Sequence, residues 1–218
     1  MADARVGIVS WNTAPLLDAC LAALPGALAG LDAEVVVVDN ASGDGSAEVA
    51  RRHGVDVVVN DDNLGYARAM NRALAGTDAP ALIALSPDTA PPPGALATLV
   101  DRLVERPGAG LVVPRLLNAD GTLQPSVQRF PGIRLGVVAG VVPPGRRAGA
   151  LARRWWLPGA RDHLERTAVD WAIGAVHVIR RGALDGAPPY SERWFMYSED
   201  VELCWRLRRA GWEVRLEG

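Results

Sequence analysis

Lysine is absent from the 218-residue sequence, so every permanently cationic side chain is an arginine. A P-loop is thereby excluded, because its defining lysine must reach the β- and γ-phosphates. Ala, Gly, Pro and Val are abundant, as the codon bias of a GC-rich genome produces, so single arginines are not read as phosphate clamps. The dinucleotide fingerprint is missing too. Gly43-Asp44-Gly45 begins one, but Glu48 stands at the third glycine position, and the first strand-like run is followed by Ser10-Trp11-Asn12. Neither charge sign is in excess: a formal net charge of -2 gives no electrostatic reason to expect nucleic acid or an anionic membrane as a partner. Only two cysteines occur, Cys20 and Cys204, each within an apolar helical pattern. They are expected as buried free thiols of a reducing compartment, with a disulfide between them left open. No apolar run approaches the ~18 residues of a membrane span. Residues 1–6 lack the basic start and long apolar stretch of a signal peptide. The expectation is a cytosolic protein.

What the chain does contain is apolar periodicity, with 49% hydrophobic residues, enough for the core of one domain of moderate size. Residues 6–10, 34–38, 55–59 and 82–85 read as strands, the second continuous in Val as a strand buried on both faces should be. Between and after them, 16–24, 47–53, 66–74 and 95–105 carry helical spacing. A last helix is predicted from Ser198 to about Ala210, with Gly211 as its stop and Val201, Cys204 and Trp205 on one face. Strands alternating with helices imply a wound, mostly parallel α/β sheet.

The chain is organised around 81–89. Its apolar run stops at Ser86-Pro87-Asp88-Thr89, and proline cannot continue a central ladder, so Asp88 falls beyond the carboxyl end of a strand. Ligands of open α/β sheets sit at that edge. Asp88 is therefore a candidate ligand for a cation that accompanies a phosphate, the alternative being a plain Asx turn.

Several short segments carry a resemblance. Val9-Ser10-Trp11-Asn12, Val37-Val38-Asp39-Asn40-Ala41-Ser42, Asn63-Leu64-Gly65-Tyr66, Asn71 and Ser86-Pro87-Asp88-Thr89 resemble, in order and spacing, the family 2 glycosyltransferases. The likeness is greatest to their bacterial rhamnosyltransferase-like branch. It continues through 113–124 and 194–206, and so covers nearly the whole chain. It implies the A-type glycosyltransferase fold, with a nucleotide-binding half over 1–114 and an acceptor and catalytic half over 115–218 of a single domain. It implies an inverting enzyme that moves a sugar, rhamnose among the candidates, from a dTDP- or UDP-sugar to a glycan or lipid-linked acceptor in cell-envelope polysaccharide synthesis.

The same resemblance assigns residues. Asp39 matches the carboxylate that accepts a hydrogen bond from the base, as an acceptor-only group suits the imide N–H of uracil or thymine and equally the N–H of guanine, so it does not choose the nucleotide. The local alternative is that Asp39 and Ser42 make a turn and cap the next helix. Ser10, Asn12, Asn63, Gly65 and Asn71 would border the nucleotide. Asp88 matches the last position of the family's metal motif, with Ser86 at the first, and would bind Mg²⁺ or Mn²⁺ together with the diphosphate. Asp200 matches the general base and Glu199 the residue that orients it; the alternative is an N-cap at Ser198 with acids that complement the helix dipole. Trp171 and Gly174 lie in the segment that meets the acceptor and donor sugars, and Trp171 serves equally as a core aromatic.

Residues 143–170 fit this scheme least. They hold arginines, Asp162, Glu165, Asp170 and the pair Trp155-Trp156. Arginines beside tryptophans suit peripheral contact with the inner face of the cell membrane, but an active-site loop or helices packed on the sheet is the preferred reading. Relatives also continue beyond Gly218 to a histidine that completes the metal site. His53, His163 and His177 all precede the acidic motif, and His177 sits in an apolar run that suits a core role. A catalytically impaired sugar-nucleotide-binding module is the rival reading. A sugar nucleotidyltransferase would need a Gly-rich basic loop where Ser10-Trp11-Asn12 stands.

Overall fold

The computed structural model describes residues 2–130 and 166–217. In chain order it forms β1 (Ala4–Ser10), α1 (Ala14–Ala27), β2 (Ala33–Asp39), α2 (Ser46–Arg52), β3 (Asp56–Val59), α3 (Tyr66–Leu74), β4 (Ala81–Leu85) and α4 (Ala95–Glu105). These are the alternating elements that the periodicity predicts. Then come β5 (Ala109–Pro114), the short strands β6 (Leu116–Leu117), β7 (Leu123–Gln124), β8 (Val127–Gln128), β9 (Thr167–Val169) and β10 (Trp171–Ala172), and β11 (Val176–Arg180). A helix here labelled α5 (Glu199–Arg209) and β12 (Glu213–Glu217) complete the described chain. Of the segment read as loop or membrane contact, residues 143–165 lie outside the described residues, Trp155 and Trp156 among them.

Eight strands make the main sheet in the order β3-β2-β1-β4-β11-β5-β12-β9. β3, β2, β1 and β4 are parallel neighbours, as right-handed crossovers through α1, α2 and α3 require. β11 departs from this pattern: it enters antiparallel between β4 and β5, with Val176 opposite Leu85 and Ile179 opposite Leu111. Residues 173–175 stand at the carboxyl edge immediately before it, and from there the strand runs straight back. That geometry delivers Gly174 and Ala175 to the edge that holds Asp88.

Each face of the sheet buries its own core. Leu17, Leu21 and Leu24 of α1, Val49 of α2 and Leu96, Leu99 and Leu103 of α4 pack on Val6, Ile8, Ile83 and Leu85. Met70 and Leu74 of α3, with Leu203, Cys204 and Leu207 of α5, cover the other face against Val38, Leu82, Leu111 and Ile179. Full burial of each such aliphatic side chain contributes about 1.5–3 kcal/mol. α3 lies close on β1 because Gly7 presents no side chain: a Cβ there would meet Ala73 and Leu74 at 2.9 Å.

The stripe predicted for α5 is corrected by this packing. Cys204 is buried, but its neighbours on that face are Leu203 and Leu207, while Trp205 is 47% exposed with the Arg209 guanidinium 4.8 Å over its ring. Both cysteines are free and buried, and burial pushes the Cys20 thiol up to about 11 and Cys204 to about 12. Among the described residues no helix is long and apolar enough to cross a membrane.

Candidate active site

Ser10 and Asp39 are register partners at the carboxyl ends of β1 and β2, and the loops beyond them are laced together. Asn12 takes φ 54° and donates its N–H to Ser42 Oγ (2.9 Å), while its side-chain Oδ1 accepts from Gly43 N–H (2.8 Å). Asp44 accepts from Ala14 N–H (2.8 Å) and from Ser46 N–H and Oγ (3.0 and 2.6 Å), which holds its carboxyl below the usual range. Ser10 Oγ is buried and shares a hydrogen bond with Thr13 Oγ1 (2.7 Å). Ser10 and Asn12 therefore shape this cradle.

Asp39 turns the chain, as one reading expected, since its Oδ2 accepts from Ser42 N–H at 3.1 Å. It does not cap α2, whose cap position is Gly45 in the left-handed region with φ 85°. The other oxygen is the informative one. Among the described residues Asp39 Oδ1 is buried with no hydrogen-bond partner, and a buried unpaired carboxylate oxygen costs free energy unless a donor arrives.

Next to it, three asparagines fix the loop that leads into α3. Asn40 Oδ1 accepts from Asn60 Nδ2 (2.9 Å) and Leu64 N–H (3.0 Å), and Asn40 Nδ2 donates to Asn63 Oδ1 (2.7 Å). Asn63 Oδ1 also accepts from Gly65 N–H (2.9 Å). Asn63 thus shapes the loop through its carbonyl. Asn71 stands apart from the cleft: its amide is spent on the backbone of Tyr190, donating to the carbonyl (2.8 Å) and accepting from the N–H (3.0 Å).

Gly65 takes φ 79° and ψ 167°, and a Cβ on it would lie 2.4 Å from the Phe195 carbonyl oxygen. Its bareness lets Tyr66 N–H donate to that carbonyl at 2.8 Å. The start of α3 is thereby pinned to the turn that precedes α5. That turn is strained, with Tyr197 at φ 67° and Ser198 at φ 71°, both non-glycine residues in the left-handed region. Ser198 occupies the N-cap position and Glu199, Asp200 and Glu202 stand in the first turn, as the alternative reading expected, but the Ser198 side chain makes no capping bond.

The turn aims the two acids of α5 at the strip beside β11. Asp200 Oδ2 accepts from Gly174 N–H at 3.2 Å and Oδ1 from Val201 N–H at 2.8 Å. Glu199 is buried, its Oε2 has no partner among the described residues, and burial raises its carboxyl pKa, with Asp200 adding repulsion. Gly174 O lies 3.5 Å from the Tyr66 hydroxyl. The phenol is pushed up first by burial and then by the charges of Glu199, Asp200 and Asp88. Trp171 donates Nε1–H to Arg129 O at 3.0 Å and packs on the core, the structural use that the sequence allowed.

Asp88 is exposed in the turn after β4, where Oδ1 accepts from Ser86 Oγ at 2.5 Å. The turn is held by Thr89 Oγ1 donating to Ser86 O (2.7 Å) and by Ser86 N–H donating to Ala175 O (2.9 Å). Asp88 borders a groove of about 560 Å³ lined also by Leu96, Leu116, Leu117 and Ala175. A larger cavity of about 800 Å³ lies at the opposite edge of the sheet, lined by Pro80, Arg181 and Pro188, away from all these carboxylates. Chemistry, not size, marks the site. For a divalent cation the donor set is one free carboxylate with a neighbouring hydroxyl, and no cluster of three acidic, His or Cys ligands occurs among the described residues. Such a set fits a cation shared with a diphosphate, which would supply the remaining oxygens.

This sheet, with acids gathered at its carboxyl edge, is the A-type glycosyltransferase fold. The mannosyltransferase PcManGT of Pyrobaculum calidifontis, solved with GDP-Man and Mn²⁺, superposes with a TM-score of 0.65 at 19% identity, over 99% of this chain and 56% of that one. TarS of S. aureus, residues 1–349, superposes with a TM-score of 0.64 at 13% identity, over 99% of this chain and 58% of its own. The pattern described as glycosyl transferase family 2 matches residues 5–184. An N-acetylglucosaminyl-diphospho-decaprenol L-rhamnosyltransferase of Mycobacterium tuberculosis is 32% identical over 220 residues, 94% of this chain and 70% of that protein. The low-salt glycan biosynthesis hexosyltransferase Agl10 of Haloferax volcanii is 24% identical over 181 residues, 81% of this chain and 54% of its own. The chain belongs to glycosyl transferase family 2 and is a glycosyltransferase.

Proposed function

We propose that this protein is an inverting glycosyltransferase that takes a sugar from a nucleotide-diphosphate donor and places it on a glycan or lipid-linked acceptor of the cell envelope. Rhamnose is the sugar that the mycobacterial relative's name supports, with dTDP or UDP as the carrier in this reading. The observation that carries donor binding is the buried, unpartnered Asp39 Oδ1. It is an acceptor waiting for an N–H, which the imide of uracil or thymine provides.

In this reading Asp200 is the general base. Gly174 N–H holds one carboxylate oxygen, and the second lone pair of either oxygen is left to take the acceptor hydroxyl's proton as that oxygen attacks the anomeric carbon. Attack from the face opposite the leaving diphosphate inverts the configuration. Glu199, buried beside it with its carboxyl pKa raised by burial, would orient Asp200 or an acceptor hydroxyl. Asp88, with Ser86 beside it, would hold a Mg²⁺ or Mn²⁺ ion, which neutralises negative charge on a diphosphate. Residues 1–114 would carry the donor and 115–218 the acceptor side, with action on lipid-linked substrates through peripheral membrane contact.

Calorimetric titration with UDP, dTDP and GDP, each with and without Mn²⁺, tests the donor side. Metal-dependent binding of at least one of the three is expected, and the preferred base narrows the donor. Absent binding of all three at millimolar concentration would refute the Asp39 assignment.

A further inference from the structure

The strip 172–175 ties the separate parts of the site together, and one end of it is anchored by a group outside the cleft. His177 is fully buried on β11, with Nδ1 3.0 Å from the Tyr190 hydroxyl and Nε2 3.2 Å from the Ala172 carbonyl oxygen. A carbonyl only accepts, so Nε2 carries the proton and Nδ1 accepts from the Tyr190 O–H. Neutral imidazole satisfies both contacts. Tyr190 is also fully buried and is held from behind by the two-point amide bond of Asn71. Its ring stacks on His177 with centroids 6.2 Å apart and meets Tyr66 edge-on at 5.6 Å. A polar line therefore runs from α3 through Asn71, Tyr190 and His177 to the Ala172 carbonyl.

Everything downstream of that carbonyl belongs to the site. Ile173 N–H donates to Ser126 O at 2.9 Å, Gly174 N–H to Asp200 Oδ2 at 3.2 Å, and Ala175 O accepts from Ser86 N–H at 2.9 Å. Gly174 sits directly beside these groups: a Cβ there would make ordinary contacts with Asp200 Cβ at 3.8 Å and the Tyr66 hydroxyl at 3.9 Å.

We propose that His177 and Tyr190 are positioning residues for the transfer step: the imidazole, fixed by Tyr190, holds the Ala172 carbonyl and so sets the Gly174 N–H against Asp200. This rests on the reading of Asp200 as the base. An apolar side chain would fill the same place in β11 without the desolvation cost of an imidazole, whereas a fully satisfied buried polar chain fixes one geometry. Burial lowers the pKa of His177 and the charge of Asp200 opposes that shift, so the neutral form the contacts require is the one burial favours. The other titratable groups around the pair are Tyr66 from α3 and Cys204 and Asp200 from α5.

The test uses the full chain and Tyr190→Phe, which keeps the ring and deletes only the hydroxyl. Nitrogen-15 spectra of the wild type should show His177 neutral with its proton on Nε2. In Tyr190→Phe the Gly174 amide resonance should move, and nucleotide release from a UDP- or dTDP-sugar should slow about tenfold or more, with nucleotide affinity unchanged. His177→Gln, whose amide N–H can still reach Ala172, should retain the Gly174 resonance that His177→Leu loses. An unmoved Gly174 resonance in both Tyr190→Phe and His177→Leu overturns the proposal, as does a Tyr190→Phe protein that is less stable but turns over normally. If no nucleotide binds the wild type, the donor reading falls, and the Gly174 and histidine resonances still decide the positioning role.

Discussion

Replacing Gly65 by alanine should unfasten the acid-bearing turn from the nucleotide half. At φ 79° and ψ 167° the residue occupies backbone space closed to side chains, a strain of about 1–3 kcal/mol. The new methyl would stand 2.4 Å from Phe195 O and 2.8 Å from Phe195 Cδ2, so Phe195 must retreat. Its retreat breaks the 2.8 Å bond from Tyr66 N–H, a net loss of about 1 kcal/mol. Together these give roughly 2–4 kcal/mol, or about 5–15 °C in Tm for a domain of this size. Gly54→Ala is the control: Gly54 has φ 71° but nothing within 4 Å, so only the left-handed cost of about 1–2 kcal/mol applies. Urea unfolding followed by tryptophan fluorescence compares the two. Turnover at a temperature well below both midpoints should fall in Gly65→Ala alone, since Phe195 leads directly into Glu199 and Asp200. If Gly65→Ala is no more destabilising than Gly54→Ala, the docking of Phe195 on Gly65 is not what holds the turn.

Asp200→Asn keeps an acceptor for Gly174 N–H but loses basicity, so transfer should drop by about 10²-fold or more while donor affinity holds; unchanged turnover removes Asp200 as the base. Asp88→Ala should erase the gain in nucleotide affinity that Mn²⁺ gives, and titrations that show the same Mn²⁺ enhancement in the variant would contradict the metal assignment. His177 contributes a pH dependence of stability. Its folded pKa is lowered from the ordinary 6.5 by burial, so the unfolded chain takes up the proton first and the stabilisation, complete above about pH 6.5, is lost as pH falls. Glu199, with a raised pKa, acts with the opposite sign as pH rises from about 4.5. The His177 share is therefore the difference in slope between wild type and His177→Gln across pH 5–7, and parallel slopes would refute it.

The elements from β1 to α4 were legible in the sequence because each obeys a local rule. Continuous valine marks β2, proline ends β4 before Asp88, and 66–74 and 95–105 show helical spacing with no internal breaker. The strand ends at Asp39 and Asp88 follow from the same rules, and the motif likeness added Glu199 and Asp200. What was not legible depends on contacts distant along the chain. Asn71 reads as a nucleotide neighbour from the motif likeness alone; that its amide clasps the Tyr190 backbone is not visible in the sequence. Gly65, a glycine, permits either an unusual dihedral or a close backbone approach, but nothing local in the sequence shows that Phe195 is what approaches. Trp205 has the spacing of a core residue and is displaced by Leu203 and Leu207, which the rotation of α5 turns inward. The lacing of Asn40, Asn60 and Asn63 left one trace: all three sit just beyond strand ends, where side-chain amides replace ladder bonds. Of the His177–Tyr190 pair the sequence showed only that His177 sits in an apolar run suited to a core role, which its burial matches, and not its partner.

The antiparallel entry of β11 also governs the order in which the molecule can be built. β4 is apolar and buried along its whole length, yet one of its two partners is encoded 91 residues later, counting from Leu85 to Val176. At ribosomal speeds that interval lasts roughly 5–20 s. Throughout it, a nascent chain that has already folded β1 to β4 presents an unpaired hydrophobic edge, the kind of surface on which strands of other chains add. Slow translation between β4 and β11 is therefore a hazard for this protein, and faster synthesis or a chaperone bound to that edge should raise its soluble yield.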